Sequence, residues 1–427
     1  MPIALFVIVR AVWIFNARQK LIGKLNWVLL EIKPPKEVRK TPKAMELLFA
    51  GLHGFQGNPN WWERNIAGKV QDWFSFEMIS QDGQIIFFIR TIAMYRNFVE
   101  AQIYAQYPQA EIKQVDDYAQ TVPKDIPSKD FDLWGTELML TKEDAYPIRT
   151  YPYFEKDLIV EEQRIDPLAS VAEVMSKLGP GEKIWIQTLA RPIDHKWQET
   201  AEKLRDKLIG RKKEKKQSFI AQEAIAWGEA AREKLSELAT GELSEGSKKK
   251  DDKQAVNPMM QMTQYERDKV TAIENKMAKI GYEVIIRFLY LAPTNVFAKP
   301  NAGAIIGCYK QFSLQDQNGF KPNSKVTTKI DYRIQLKKPR EFARKRKILA
   351  AYQKRQFVPQ SKVVKYLRPL LYERLPILNK FFIKSQPFIL NTEELASIYH
   401  FPGTMVEAPT MFRVEAKKGG PPAGLPM

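Results

Sequence analysis

Between Trp27 and Tyr118 the apolar positions switch repeatedly between strand-like runs and helical spacing. "WVLLEIK" reads as a strand stopped by Pro34-Pro35. "TPKAMELLFAGLHG" follows as a helix, with Thr41 as its cap, Pro42 at the first helical position and a closing glycine. "DWFSFEMIS" and "QIIFFIRT" are apolar strands around Asp82-Gly83, a hairpin signal. "MYRNFVEAQIYAQYP" is an amphipathic helix ended by Pro108, and "AEIKQVDDY" is a last strand. The predicted order over 26–120 is β-α-β-β-α-β, that of a ferredoxin-like split βαβ module.

A proline-rich bridge (Pro123, Pro127, Pro147, Pro152) leads to a second alternation over 121–385. It contains the strand "LWGTELML", the acid-capped helix "DPLASVAEVMSKLG" and the strand "KIWIQTLARPI", reached through the turn Gly179-Pro180-Gly181. The helix "QYERDKVTAIENKMAKIGY", the strand "EVIIRFLYLAP" and the helix "NAGAIIGCYKQF" complete the series. A strand near Thr327 would close this sheet. The fold class expected is therefore α+β, two ferredoxin-like modules alike in architecture without a sequence repeat. A long insertion at 197–262 divides the second. Its first part is Lys/Glu/Ala-rich and helical. Its second part, 240–262, is too poor in apolar residues to offset the entropy of ordering and is expected to be a flexible loop.

The two ends differ from this middle. "MPIALFVIVRAVWIF" is apolar apart from Arg10, and Arg18, Lys20 and Lys24 follow it. A full span needs about 20 apolar residues. Residues 1–25 are read as the inner part of a membrane helix, possible truncation included, with its cations on the cytoplasmic side. A buried core helix and an interfacial anchor stay open as alternatives. Over 386–427, "LNTEELASIYHFPG" is a capped helix with a proline stop. The Pro/Gly-rich run ending "GGPPAGLPM" reads as a linker.

Length and composition fit a globular chain of two or three domains: 427 residues, 44% hydrophobic and 27% charged. Cys308 is the lone cysteine, so no internal disulfide forms and a reducing cytoplasmic setting is expected. Charge changes the picture more. Between Lys321 and Lys384 there are 19 Lys/Arg and three acids, 19 − 3 = +16, against a net +18 for the whole chain. Such a concentration points to a polyanion, nucleic acid or anionic lipid, unless it is a solvated helix surface.

Sequence signals for catalysis are lacking. No G-x-x-x-x-G-K-[ST] cradle and no G-x-G-x-x-G fingerprint occur, and "GPGEK" reads as a turn before a strand. His53, His195 and His400 lie far apart and read as structural, His53 complementing a helix C-terminus. Asp116 and Asp117 would face opposite sides of a strand. Cys308 has no nearby histidine, and no G-x-S-x-G elbow is present. No enzyme activity, metal or cofactor is expected of this chain.

The basic helix predicted over 340–356, "PREFARKRKILAAYQKRQ", starts after Pro339. Arg340, Arg344, Lys347 and Lys354 share one face, with Phe342 and Leu349 opposite to dock on a core. Lys345, Arg346, Arg355, Lys362 and Lys365 extend the charge. Together these nine residues are the candidate nucleic-acid or lipid contacts, giving salt-dependent, sequence-independent affinity. Tyr352, Phe357 and Tyr366 are expected to pack in a core rather than stack on bases.

"AMELLFAGLHG", "NFVEAQIYAQYPQAEI", "DPLASVAEVMSKLGPGEKIWIQ" and "LNTEELASIYHFPG" resemble the N-terminal, pre-motor region of membrane-anchored type IV secretion and conjugative DNA-transfer ATPases. The resemblance spans nearly the whole chain. It implies membrane helices first, then this region, then a P-loop motor after a Pro-rich joint. "EELASIYHFP" resembles the approach to that motor and "PPAGLP" the joint. The family's catalytic residues match no position here. The resemblance thus implies a non-catalytic accessory region on the cytoplasmic face of the cell membrane. Its partners would be a P-loop ATPase motor in cis or in trans, the membrane, DNA and further copies in a homo-oligomer.

Overall fold

The computed structural model describes residues 2–35, 40–57, 59–123, 126–155, 165–210, 262–330, 337–355, 357 and 385–403. Strands β1 (Trp27–Lys33), β2 (Phe74–Gln81), β3 (Gln84–Ile92) and β4 (Glu111–Val115) come from the first half. Strands β5 (Phe131–Leu140), β6 (Lys183–Pro192), β7 (Gly281–Pro293), β8 (Phe320–Pro322) and β9 (Phe388–Asn391) come from the second. They form one antiparallel sheet in the order β4-β1-β3-β2-β6-β7-β5-β8, and β9 also pairs with β7.

Read outward from its centre, the sheet repeats itself: β2-β3-β1-β4 on one side, β6-β7-β5-β8 on the other. The halves meet at β2 and β6, with Glu77 opposite Gln187 and Met78 opposite Ile186. Helices α2 (Lys43–Leu52) and α3 (Arg96–Gln106) follow β1 and β3. The short α4 (Tyr151–Glu155) and then α5 (Ala169–Ser176) follow β5, and α8 (Lys299–Cys308) follows β7. Where the first half has the two-residue Asp82-Gly83 turn, the second has the insertion. Helix α6 (Lys196–Leu208) opens it and α7 (Gln264–Met277) follows it; within the insertion the described residues are 197–210 and 262. Apart from Met262, the expected flexible loop lies outside them.

The hairpin turn forms because Asp82 and Gly83 both take positive φ, 54° and 82°, which the right-handed twist of the flanking strands requires. Gly83 is needed for space as well. A Cβ there would lie 2.8 Å from the Ser176 carbonyl oxygen at the end of α5.

One sheet face carries the main core. Met45, Leu48, Phe49 and Leu52 of α2, with Val99 and Ile103 of α3, pack on Phe74, Phe76, Phe87 and Ile89. The final helix α10 (Thr392–Ile398) joins this core. Asn391 caps it and Glu394 completes a capping box. Leu395, Ala396, Ile398, Tyr399 and Phe401 are all buried, and the Tyr399 hydroxyl donates to the Phe88 carbonyl at 3.1 Å. The helix read as the approach to a motor is thus built into the sheet and its core up to Phe401.

The opposite face is covered by helix α9 (Lys337–Gln353). Ile348, Leu349 and Tyr352 pack with Trp185, Leu133, Leu289 and Leu291. Gly135 of β5 makes room for them: a Cβ there would come within 3.1 Å of Ile348 Cδ1.

The strand expected near Thr327 lies outside the described residues from position 331 on; residues 327–330 are not in a strand, and the strand that pairs with β5 at this edge is β8 at Phe320–Pro322. Beyond it Asn323 turns the chain, its carbonyl accepting the Val326 and Thr327 N–H groups. At the start, α1 (Pro2–Lys24) is one continuous helix, but no helix among the described residues is long and apolar enough to cross a membrane. Arg10, Arg18, Lys20 and Lys24 dilute its apolar run, and Ile14 and Arg18 are buried.

Candidate functional site

A row of polar side chains crosses the face beneath α9: Glu77 on β2, Gln187 on β6, Arg287 on β7 and Glu137 on β5. Each stands opposite the next in the strand register. All four are buried. Arg287 Nε donates to Glu137 Oε1 at 2.8 Å and its Nη1 to Gln187 Oε1 at 3.1 Å. Ser385 Oγ donates to the same Glu137 oxygen at 2.6 Å.

Arg355, two residues past α9, caps this row. Its guanidinium grips Glu77 with two hydrogen bonds, 2.9 and 3.0 Å, and reaches Asp117 Oδ2 at 2.5 Å. The Trp73 indole donates to the Arg355 carbonyl at 3.2 Å. Tyr118 donates to Glu77 Oε2 at 2.8 Å, and its hydroxyl lies 2.6 Å from that of Tyr352. Burial alone would push the Glu77 carboxyl up. The facing Arg355 charge, with hydrogen bonds from Arg355, Ser75 and Tyr118, more than offsets this and holds it below the usual range.

The nine candidate residues therefore divide. Arg355 is buried and fully engaged with Glu77 and Asp117, so it cannot meet a phosphate. Lys345 is half-buried and pairs with Asp132 at 2.5 Å. Arg344 spends its Nη1 on the carbonyls of Ser324 and Thr327, at 3.1 and 2.7 Å. Lys347 is also half-buried. Arg340, Arg346 and Lys354 are exposed, beside exposed Lys337 and Lys338. Lys362 and Lys365, like Tyr366, lie outside the described residues. Phe342 does not dock: it is 42% exposed and carries the Arg346 guanidinium 4.7 Å above its ring. The apolar stripe facing the core is confined to the helix's second half, at Ile348, Leu349, Ala351 and Tyr352. Tyr352 and Phe357 are buried, as expected of core aromatics.

A profile described as Domain of unknown function (DUF8128) matches residues 16–412. The chain belongs to that family. No match is found among curated proteins.

Helix α2, the turn before α5 and helix α10 converge in the fold. Lys279 bridges Glu46 of α2, at 2.7 Å, and Glu393 of α10. The acid expected to cap α5 does not do so, since Leu168 is the N-cap; Asp166, two residues earlier, takes hydrogen bonds from His400 Nε2 at 2.9 Å and the Gly403 N–H at 3.0 Å. Burial would raise the Asp166 carboxyl, but His400 beside it and the N–H groups of Gly403 and Leu168 hold it below its ordinary value. His53 donates from Nε2 to the Ile193 carbonyl at 3.1 Å, and burial lowers its pKa. It therefore acts as a neutral donor at neutral pH rather than as a cation on the helix dipole. His195 is exposed. Among the described residues no group of three or more His, Cys, Asp or Glu side chains could hold a metal ion.

Near the same helix Asp144 sits beside Lys276, Glu394 and Glu283. Its pKa is pushed up to about 6, chiefly by burial, with the two glutamates adding and Lys276 opposing. The ordinary value is 3.8. The folded state holds this proton more tightly than the unfolded chain, so stability falls as pH rises from about 4 to about 6. Asp144→Asn removes that loss and should stabilise the protein by about 1–3 kcal/mol at pH 7. It should change little at pH 4. Urea midpoints of both proteins at the two pH values check this.

Proposed function

We propose that the chain is a non-catalytic platform, the pre-motor accessory region of a DNA-transfer ATPase at the cytoplasmic face of the membrane. It positions a P-loop motor, in cis or in trans, and presents the outer face of α9 to DNA. We read each half of the sheet as a ferredoxin-like module, on the repeated strand order and the helices placed after the first and third strands of each half. The observation that carries the reading is the division of α9. Its inner side is pinned through Tyr352 and the following Arg355, which leaves Arg340, Arg346 and Lys354 on the outside of a rigid element. Cations held this way can neutralise phosphates without reading bases. A homo-oligomer would repeat the patch around a strand.

The alternative is a membrane-bound scaffold whose same outer face meets anionic lipid. Purified protein is tested for duplex DNA binding at several salt concentrations, for binding to anionic vesicles and for ATP hydrolysis. DNA binding that weakens with salt, without ATP turnover by the chain alone, supports the platform. Turnover of ATP by the chain alone refutes it.

A further inference from the structure

We propose that α1 and the tryptophan pair Trp61-Trp62 form one surface that lies in the headgroup layer of an anionic bilayer. The proposal rests on the membrane-proximal part of the functional reading and names the surface responsible. Trp13, Trp61 and Trp62 are 66%, 65% and 63% exposed, and Val9 and Ile66 are exposed large apolar residues of the same elements. Trp13 stands on α1, and Trp61 and Trp62 directly precede the turn Glu63–Ala67. That turn packs on α1, and Gly68 closes it with φ 75° against Ala17 and Arg18, where a Cβ would come within 3.0 Å of the Ala17 side chain.

At 100° per residue, Val9, Trp13, Asn16, Lys20 and Lys24 fall within about 80° on one side of α1. All five are exposed, whereas Ile14 and Arg18, on the other side, are buried. Along that exposed side the character changes from apolar at Val9 and Trp13 to cationic at Lys20 and Lys24. A helix so graded places Val9 and Trp13 at the acyl boundary and lays its lysines among lipid phosphates. Tryptophan suits that layer because its ring is apolar and its N–H needs a polar partner. Glu63, the acid on the packed turn, is paired with Lys69 at 3.1 Å and leaves the patch net basic. The buried Ile14 and Arg18 tie the helix to the folded body, so it lies on the membrane rather than crossing it.

The test is flotation of the full chain with phosphatidylcholine vesicles, with and without roughly 25% phosphatidylserine. The wild type should float with the anionic vesicles. Trp13→Ser/Trp61→Ser/Trp62→Ser, which alters only exposed side chains, should lower the partition coefficient at least tenfold and leave DNA binding unchanged. Lys20→Glu/Lys24→Glu should lose the preference for phosphatidylserine. A wild type that stays at the bottom, or a tryptophan variant that floats as the wild type does, overturns the proposal. A wild type that floats but does not bind DNA keeps the proposal and removes the DNA role of α9.

Discussion

Arg355→Met is expected to destabilise the fold by about 3–5 kcal/mol, because it leaves the Glu77 carboxylate buried without its cation. Glu77 stands at the join of the two halves, opposite Gln187, and its side chain is wholly buried. With Arg355 gone, Asp117 also loses its partner at 2.5 Å. The double variant Glu77→Gln/Arg355→Met removes both charges and should recover a large part of the loss, giving a strongly non-additive cycle. Urea unfolding of the four proteins measures it. Additive losses would mean that the two groups act independently. The pH dependence has a definite sign. The folded Glu77 pKa lies below its ordinary value, so the stability it contributes is present at neutral pH. That stability is lost as pH falls below about 4, through the folded value.

Lys276→Met should be comparably damaging. The Lys276 ammonium is fully buried at the end of α7, 3.1 Å from Glu394 Oε2 and within 3.0 Å of the Ile389 carbonyl. Glu394 also takes the N–H groups of Ile148 and Asn391, both at 2.9 Å. Removing the cation leaves a buried carboxylate at the junction of the insertion, β9 and α10, a loss of about 3–5 kcal/mol. Even with Lys276 present, burial holds the Glu394 pKa above its ordinary value. Without it the folded state must keep the carboxyl protonated. The penalty therefore grows as pH rises, and the variant should lose more stability at pH 8 than at pH 5. An equal loss at both would show that the ammonium acts by packing alone. Glu394→Gln tests the pair from the other side and should show no such growth with pH.

The local elements were legible where short-range chemistry decides them. The Asp82-Gly83 hairpin, the capped helix after Leu390 and the strand after Gly179-Pro180-Gly181 all form. Their signals are backbone geometry and capping, read within a few residues. Strand β9 escaped because four residues carry no periodicity, and its pairing with β7 depends on chain more than a hundred residues away. The basic helix was read half correctly. Its spacing identifies a shared face, but which face packs is set by the sheet beneath it. Arg344 and Lys345 therefore turn to carbonyls and Asp132 while Phe342 stays out. The buried row did leave a trace: Glu77 is the single charge of β2, and Glu137 and Arg287 each stand in the otherwise apolar inner part of a strand whose other charge, Asp132 or Glu283, lies nearer its start. Such a charge demands a partner. The sequence does not say that the partner of Glu77 lies 278 positions away.

Helix α9 divides into a pinned inner side and a cationic outer face. Arg340→Glu/Arg346→Glu/Lys354→Glu changes only exposed side chains and should leave the urea midpoint near that of the wild type. Duplex DNA binding of this variant, measured across a salt series, is the direct test. The predicted result is a loss of at least about tenfold on every DNA sequence, with a salt slope flattened by about 0.9 for each phosphate contact removed. Affinity and slope equal to the wild type's would contradict the account.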